Sequence, residues 1–245
     1  MAKPVTDAKK EQTVKEYSEM MKGLYGAELL SLYLFGEDAV EAVGQGVRPP
    51  KILAIMETVG PAELKKYAGV HKKWAGRGIA APLMLTLDML DSSTDIFPIE
   101  FLEMKESHRL LHGRDVLPGL EIGLENLRRQ CEEQVKGKLI HLCQGYMEAG
   151  GDKDGLARLV ALSIEPFTEA MRNVLRLMGK EPPVNKEKVI SEFCRETGLA
   201  EAPFMDALRL RREGGKPSID ELDSLFARYL EQVRLLAEKV DKMGS

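Results

Sequence analysis

Apolar residues recur along this chain with two different periods, and the change of period divides it. Val14, Tyr17, Met20, Met21 and Leu24 fall three or four apart within residues 7 to 24, one buried face of a helix that Gly26 closes. Leu29 to Phe35 is an apolar run ending at Gly36, which predicts a mostly buried strand and a turn. Gly44, Gly46, Pro49 and Pro50 punctuate a loop, and a second strand is expected over Ile52 to Met56. Pro61 to Trp74 carries helix signals: an early proline, Glu63 beside it, and Leu64, Tyr67, Ala68 and His71 on one side. Pro82 to Leu87 reads as a third strand. Phe97, Ile99 and Phe101 alternate with Pro98 and Glu100, which predicts a fourth over Phe97 to Leu102.

From about Leu120 only the helical period remains. A long amphipathic helix is expected through Leu127, Cys131, Val135, Leu142 and Tyr146, stopped by Gly150 and Gly151. Leu156 to Met178 predicts a second helix, kinked at Pro166 where a backbone donor is missing. Asn185 is placed to cap a third, and a short helix fits Pro203 to Arg212. Ser218 and Glu221 form a capping box before a stripe of Leu222, Leu225, Phe226, Tyr229, Val233 and Leu236. Strands and helices mixed before residue 117, then helices alone, predict an α+β chain: a sheet domain at 1–117 and an antiparallel helical bundle at 118–245.

Composition narrows the classes. Apolar residues are 44% of the chain and charged residues 30%, the balance of a folded globular protein. A net charge of −4 argues against a broad nucleic-acid footprint, so no nucleic-acid partner is expected. No apolar run approaches the roughly 18 residues that span a bilayer. The polar stretch Met1 to Glu16 lacks the apolar core of a signal peptide, so a cytoplasmic location is expected. Cys131, Cys143 and Cys194 form no CxxC pair and read as structural thiols. His108 and His112 have no third ligand near them in sequence, which speaks against zinc. Lys72, Lys73 and Arg77 read as a solvated helix end beside an inward Trp74.

The chemistry-bearing residues lie around the first two strands. Leu34 and Phe35 form an apolar pair before Gly36, then come a Gly/Pro loop and a second strand. The segment containing Glu100 is followed by His108-Arg109-Leu110-Leu111-His112-Gly113. In these features the chain resembles the nucleotidyltransferase superfamily, the group of the aminoglycoside adenylyltransferases and small bacterial transferases. The resemblance implies a mixed sheet with flanking helices followed by a helical bundle. It also implies Gly-Ser before the loop, Asp-x-Asp on the second strand, and a third acid further on, to which Glu100 corresponds.

Two acids separated by one residue on a strand share a face, where they hold the Mg²⁺ of an in-line displacement. Here those positions hold Lys51 and Leu53, and Glu37 stands where the serine is usual. The resemblance therefore implies a vestigial transferase that binds a nucleotide or a protein, with no cofactor. Gly36, Glu37 and Lys51 are its candidate nucleotide contacts, and Glu100 its candidate catalytic residue. An alternative keeps transfer of an AMP-type group to a hydroxyl of a small molecule or protein. It uses Glu37, Asp38 and Glu100 with Mg²⁺ and a nucleoside triphosphate. A third reading is a homodimer formed through the bundle surface. The signature of the HEPN-type ribonuclease bundle, an arginine a few residues before a histidine, is absent around His141.

Overall fold

The computed structural model describes residues 7–36, 50–215 and 217–243. Glu37 and Asp38 lie outside the described residues. The chain divides into two compact units, Met1–Gly123 and Leu124–Ser245.

In the first unit, α1 (Asp7–Tyr25) leads to β1 (Leu29–Phe35), β2 (Lys51–Met56) and α2 (Pro61–Ala75). Then follow β3 (Leu83–Leu85), α3 (Leu87–Ser92), α4 (Pro98–Glu106) and β4 (His108–Gly113). The sheet order is β3-β2-β1-β4. β1 runs antiparallel to both neighbours, while β2 and β3 are parallel. The mixed sheet with flanking helices is the arrangement the sequence predicts.

Both faces of the sheet are covered, which is why β1 and β2 read as continuous apolar runs rather than alternating ones. Leu32, Leu34, Ile52, Ala54 and Met56 pack into one core with Tyr17 and Met21 of α1 and Tyr67 and Trp74 of α2. There the Tyr17 hydroxyl lies 3.2 Å from that of Tyr67, and the Tyr17 and Trp74 rings meet edge to face. Tyr33, Phe35, Leu53, Ile55 and Leu85 form a second core on the other face, closed by Phe101, Met104, Leu117 and Leu120.

The structure corrects one predicted element. Phe97 to Leu102 is not a strand: Pro98–Glu106 is helical, with Pro98 in the first turn and Pro98, Ile99, Phe101 and Met104 buried. Proline lacks the N–H that an inner strand needs, yet the first helical turn leaves that donor unused. The apparent alternation over six residues came from a helix buried on more than one side. The fourth strand is instead His108–Gly113, which pairs with β1. His108 and His112 thus lie on a strand rather than one helical turn apart.

The ring of Tyr33 secures the segment after β4. Its hydroxyl donates to the Arg114 carbonyl at 3.0 Å and accepts the Val116 N–H at 2.7 Å. Ser31 Oγ donates to the same carbonyl, so Tyr33→Phe orphans chiefly the Val116 donor. The expected cost is about 1–2 kcal/mol, read as a lower urea midpoint at unchanged slope.

The second unit is all helical among the described residues: α5 (Leu124–Ala149), α6 (Lys153–Leu177), α7 (Lys186–Thr197), α8 (Ala202–Glu213) and α9 (Ile219–Lys242). The long helix begins at Leu124, four residues later than the apolar spacing suggests, because Leu117–Gly119 forms a separate 3-10 turn. Asp152, Asn185 and Ser218 cap α6, α7 and α9, each accepting from the backbone N–H of the third residue of its helix. Helix α6 runs through Pro166 and packs against each of the other four. Its Phe167 and Phe204 of α8 meet the buried Tyr229 ring of α9 edge to face, and Ser163 Oγ lies 3.1 Å from the Tyr229 hydroxyl.

Candidate functional site

The candidate site lies where β1 ends at Gly36. The backbone there has φ +81°, a conformation open to glycine at no cost, so the turn itself requires this residue. Its N–H, the group a bound phosphate would need, donates to the Ser107 carbonyl at 2.8 Å. That bond ties the end of β1 to the junction of α4 and β4.

Lys51 opens β2 directly across from Phe35. Its ammonium sits 5.6 Å from the centre of the Phe35 ring and 3.4 Å from a carboxylate oxygen of Glu103 on α4. A β-carbon placed on Gly36 would also lie 3.5 Å from that oxygen, so Glu103 and Lys51 together close over the glycine. Both side chains are partly solvated, and such a pair contributes little to stability. Its effect is positional: the lysine charge already has a partner.

Leu53 occupies the next position on the same face. It is 0% exposed, inside the core formed by Tyr33, Phe35, Ile55 and Leu85 under Phe101 and Met104 of α4. Neither β1, β2, β3 nor β4 contains an Asp or Glu. Mg²⁺ takes hard oxygen ligands in near-octahedral geometry. An ammonium and a buried isobutyl group do not fit that ion, and no step through it follows from these residues.

The candidates named from sequence therefore fare differently. Gly36 and Lys51 are brought together. Glu100 lies in the first turn of α4 with an exposed side chain, on a helix rather than the expected strand. Glu37 is outside the described residues. Sequence reasoning missed Glu103 and Ser107, which reach Gly36 only because α4 folds back over β1. The one local sign of that helix was the proline at its start.

The other clusters have structural roles. Arg77 stacks over the buried Trp74, 4.6 Å from its centre, and bonds Glu16 of α1 at 2.6 Å. The basic turn thus fastens the end of α2 to α1. Burial pushes the Cys131 and Cys194 thiols up to about 12, far from thiolate chemistry at neutral pH. Among the described residues no group of three or more His, Cys, Asp or Glu side chains is placed to hold a metal. Among them, too, no helix is long and apolar enough to cross a membrane.

A mixed four-stranded sheet backed by two helices on one face, followed by a helical unit, is the nucleotidyltransferase type of fold. Among solved structures the chain is similar to spectinomycin adenyltransferase AAD(9) from Enterococcus faecialis, determined with ATP and spectinomycin, at a TM-score of 0.52. The likeness covers 91% of this chain and 99% of that one at 10% identity, so it establishes the fold. No family profile and no curated protein matches the sequence.

Proposed function

We propose that this chain is a nucleotidyltransferase-fold protein that has given up metal-dependent transfer and works as a binding module. The observation that carries this reading is Leu53. An acid is required at that position for the ion, and here it holds an alkyl group with no exposed surface, sealed under α4. The engaged Gly36 N–H and the Lys51–Glu103 pair support it, since both groups that would receive a triphosphate already have partners. Neither Mg²⁺ nor a nucleoside triphosphate is then a cofactor. Function argued from fold alone is analogy, and here the residues argue against the analogous activity.

Thermal unfolding with and without MgATP tests the reading. A ligand at one hundred times its Kd stabilises by about 2.7 kcal/mol, which is easily resolved. No Mg²⁺-dependent rise in Tm is expected. The competing enzyme uses Glu37, Asp38 and Glu100, and its acceptor is a small hydroxyl compound such as the spectinomycin of the AAD(9) structure. It predicts a clear rise in Tm and transfer of AMP to that acceptor, lost in Glu100→Ala. Either result would overturn the binding-module reading.

A further inference from the structure

Charge is segregated along the sheet unit. Lys65, Lys66, Lys72, Lys73 and Arg77 lie on or just after α2, and no Asp or Glu occurs from Leu64 to Leu87. Asp88, Asp91, Asp95, Glu100 and Glu103 follow, and no Lys, Arg or His occurs from Gly78 to Met104. The two segments sit against opposite faces of one sheet. Helix α2 covers the core around Leu32 and Leu34 through Tyr67 and Trp74, whereas Leu90 of α3 and Phe101 and Met104 of α4 cover the core around Tyr33 and Leu53. The sheet therefore holds the two charges apart within one copy of the chain.

Part of this charge is neutralised internally. Lys66 pairs with Glu28, Arg77 with Glu16, and Glu103 with Lys51. Among the described residues Lys65 and Lys72 on one face, and Asp88, Asp91 and Asp95 on the other, are left without an ion pair. Because Tyr67 and Trp74 turn inward, Lys65 and Lys72 share the outward side of α2, with Ala68 and Gly69 between them. A β-carbon on Gly69 would meet nothing within 4 Å, and Leu64 beside this strip is exposed. Lys65 and Lys72 stand about 10 Å apart along the helix, and Asp88 and Asp95 have the same sequence interval.

The acidic segment also carries apolar groups that no core takes up. The N–H of Ser93 donates to Leu90 O, and those of Ile96 and Phe97 donate to Ser93 O, so the segment advances in helical turns. Met89, Ser93, Ile96 and Phe97 then fall at i, i+4, i+7 and i+8, on one side of it. Met89, Ile96 and Phe97 are 43–62% exposed, while Leu90 is buried. Asp88, Asp91 and Asp95 run beside this row at i, i+3 and i+7.

We propose that copies of this chain associate head to tail, the outer side of α2 on one docking against the α3–α4 segment of the next. Lys65 and Lys72 meet the row of aspartates, and Leu64 and Ala68 meet Met89, Ile96 and Phe97. Exposed ion pairs contribute little each, so the apolar row holds the contact and the charges select and orient it. Two different surfaces on opposite faces do not satisfy each other in a closed pair; repeated, the contact builds a ring or an open chain of copies. It uses neither Gly36 nor Lys51, and stands whether or not the sheet retains transfer chemistry.

Sedimentation velocity on the full chain tests this without any nucleotide. The weight-average sedimentation coefficient should rise with protein concentration at low ionic strength, past the value for a dimer, and fall back in high salt. Lys65→Glu/Lys72→Glu and Asp91→Lys/Asp95→Lys should each weaken association tenfold or more, with Tm as the check of folding. Mixing the two variants should restore association, because each reversed surface then faces one of opposite sign. Ile96→Ser, at an exposed position, should weaken association and leave its salt dependence in place. A chain monomeric at every concentration, assembly that stops at a dimer, or association undiminished by salt or by the charge reversals would each overturn the proposal. So would a mixture of the reversed variants that stays monomeric, or a monomer whose aspartate row binds only a separate basic amphipathic peptide.

Discussion

Leu53→Asp is expected to unfold the sheet unit and to restore no magnesium site. The side chain has no exposed surface and is enclosed by Tyr33, Phe35, Ile55 and Leu85, with Phe101 and Met104 above it. None of these offers a donor to a carboxylate there except the Tyr33 hydroxyl, which already serves Arg114 and Val116. An uncompensated buried charge costs about 3–5 kcal/mol, and loss of the leucine packing adds to it. Such a loss lowers Tm by roughly 10 °C or more in a unit of this size. Lys51→Asp, at an exposed site, should lower Tm far less, although it places two acids near each other with Glu103. The pair of melts separates a buried position from a merely mutated one. If Leu53→Asp kept the parent Tm and the double Lys51→Asp/Leu53→Asp variant gained Mg²⁺ affinity, the face would be open and the assignment of an inactive sheet would fail.

Gly113→Ala should be nearly as damaging, through the backbone. Gly113 ends β4 at φ +82°, where an L-residue carries a strain of about 1–2 kcal/mol. A β-carbon there would be driven into the Leu30 carbonyl, lying 2.8 Å from its carbon and 3.0 Å from Ser31 Cα. Those atoms belong to β1 and cannot swing aside like the tip of a side chain. The β1–β2 pairing is already irregular between Leu29 and Ser31, and the β1–β4 pairing between Leu32 and Tyr33. We expect a total loss on the order of 3–4 kcal/mol by equilibrium urea unfolding, accompanied by faster amide exchange along β1 and β4. A variant within about 0.5 kcal/mol of the parent would show that the strand end has slack the structure does not suggest.

How far the sequence discloses this architecture depends on the length of each signal. The two apolar runs of β1 and β2 are legible because helices cover both faces, leaving no polar alternation to interrupt them. The last helix is legible because Ser218 and Glu221 bond reciprocally at its start, a chemical mark that tertiary context does not blur. Helix α4 was obscured because a six-residue window cannot separate a strand from a helix buried on several sides. The displaced start of α5 follows from Leu117 and Leu120, whose apolar side chains serve the sheet core although they keep the helical spacing.

At the candidate site, the glycine turn can be read locally and its surroundings cannot. Gly36, Glu103 and Ser107 meet through chain reversal across about seventy residues, and no short motif encodes that meeting. The close approach of α5 and α6 at Gly145 and Leu159 has the same origin. Gly145 and Pro166 look like weak points in two helices until the helices are placed side by side.

Strand β1 lies inside the sheet, yet its partners arrive at very different times during synthesis. β2 follows it within about twenty residues, whereas β4 pairs Gly113 with Ser31. A growing chain therefore carries Leu29–Phe35, a charge-free β-forming heptapeptide, with one bare hydrogen-bonding edge until residue 113 has emerged. Slow translation or a stop before β4 leaves that edge able to recruit the same segment from a neighbouring nascent chain. Truncation just before His108 should accordingly yield inclusion bodies, where the full chain, with β4 paired to β1, stays in solution.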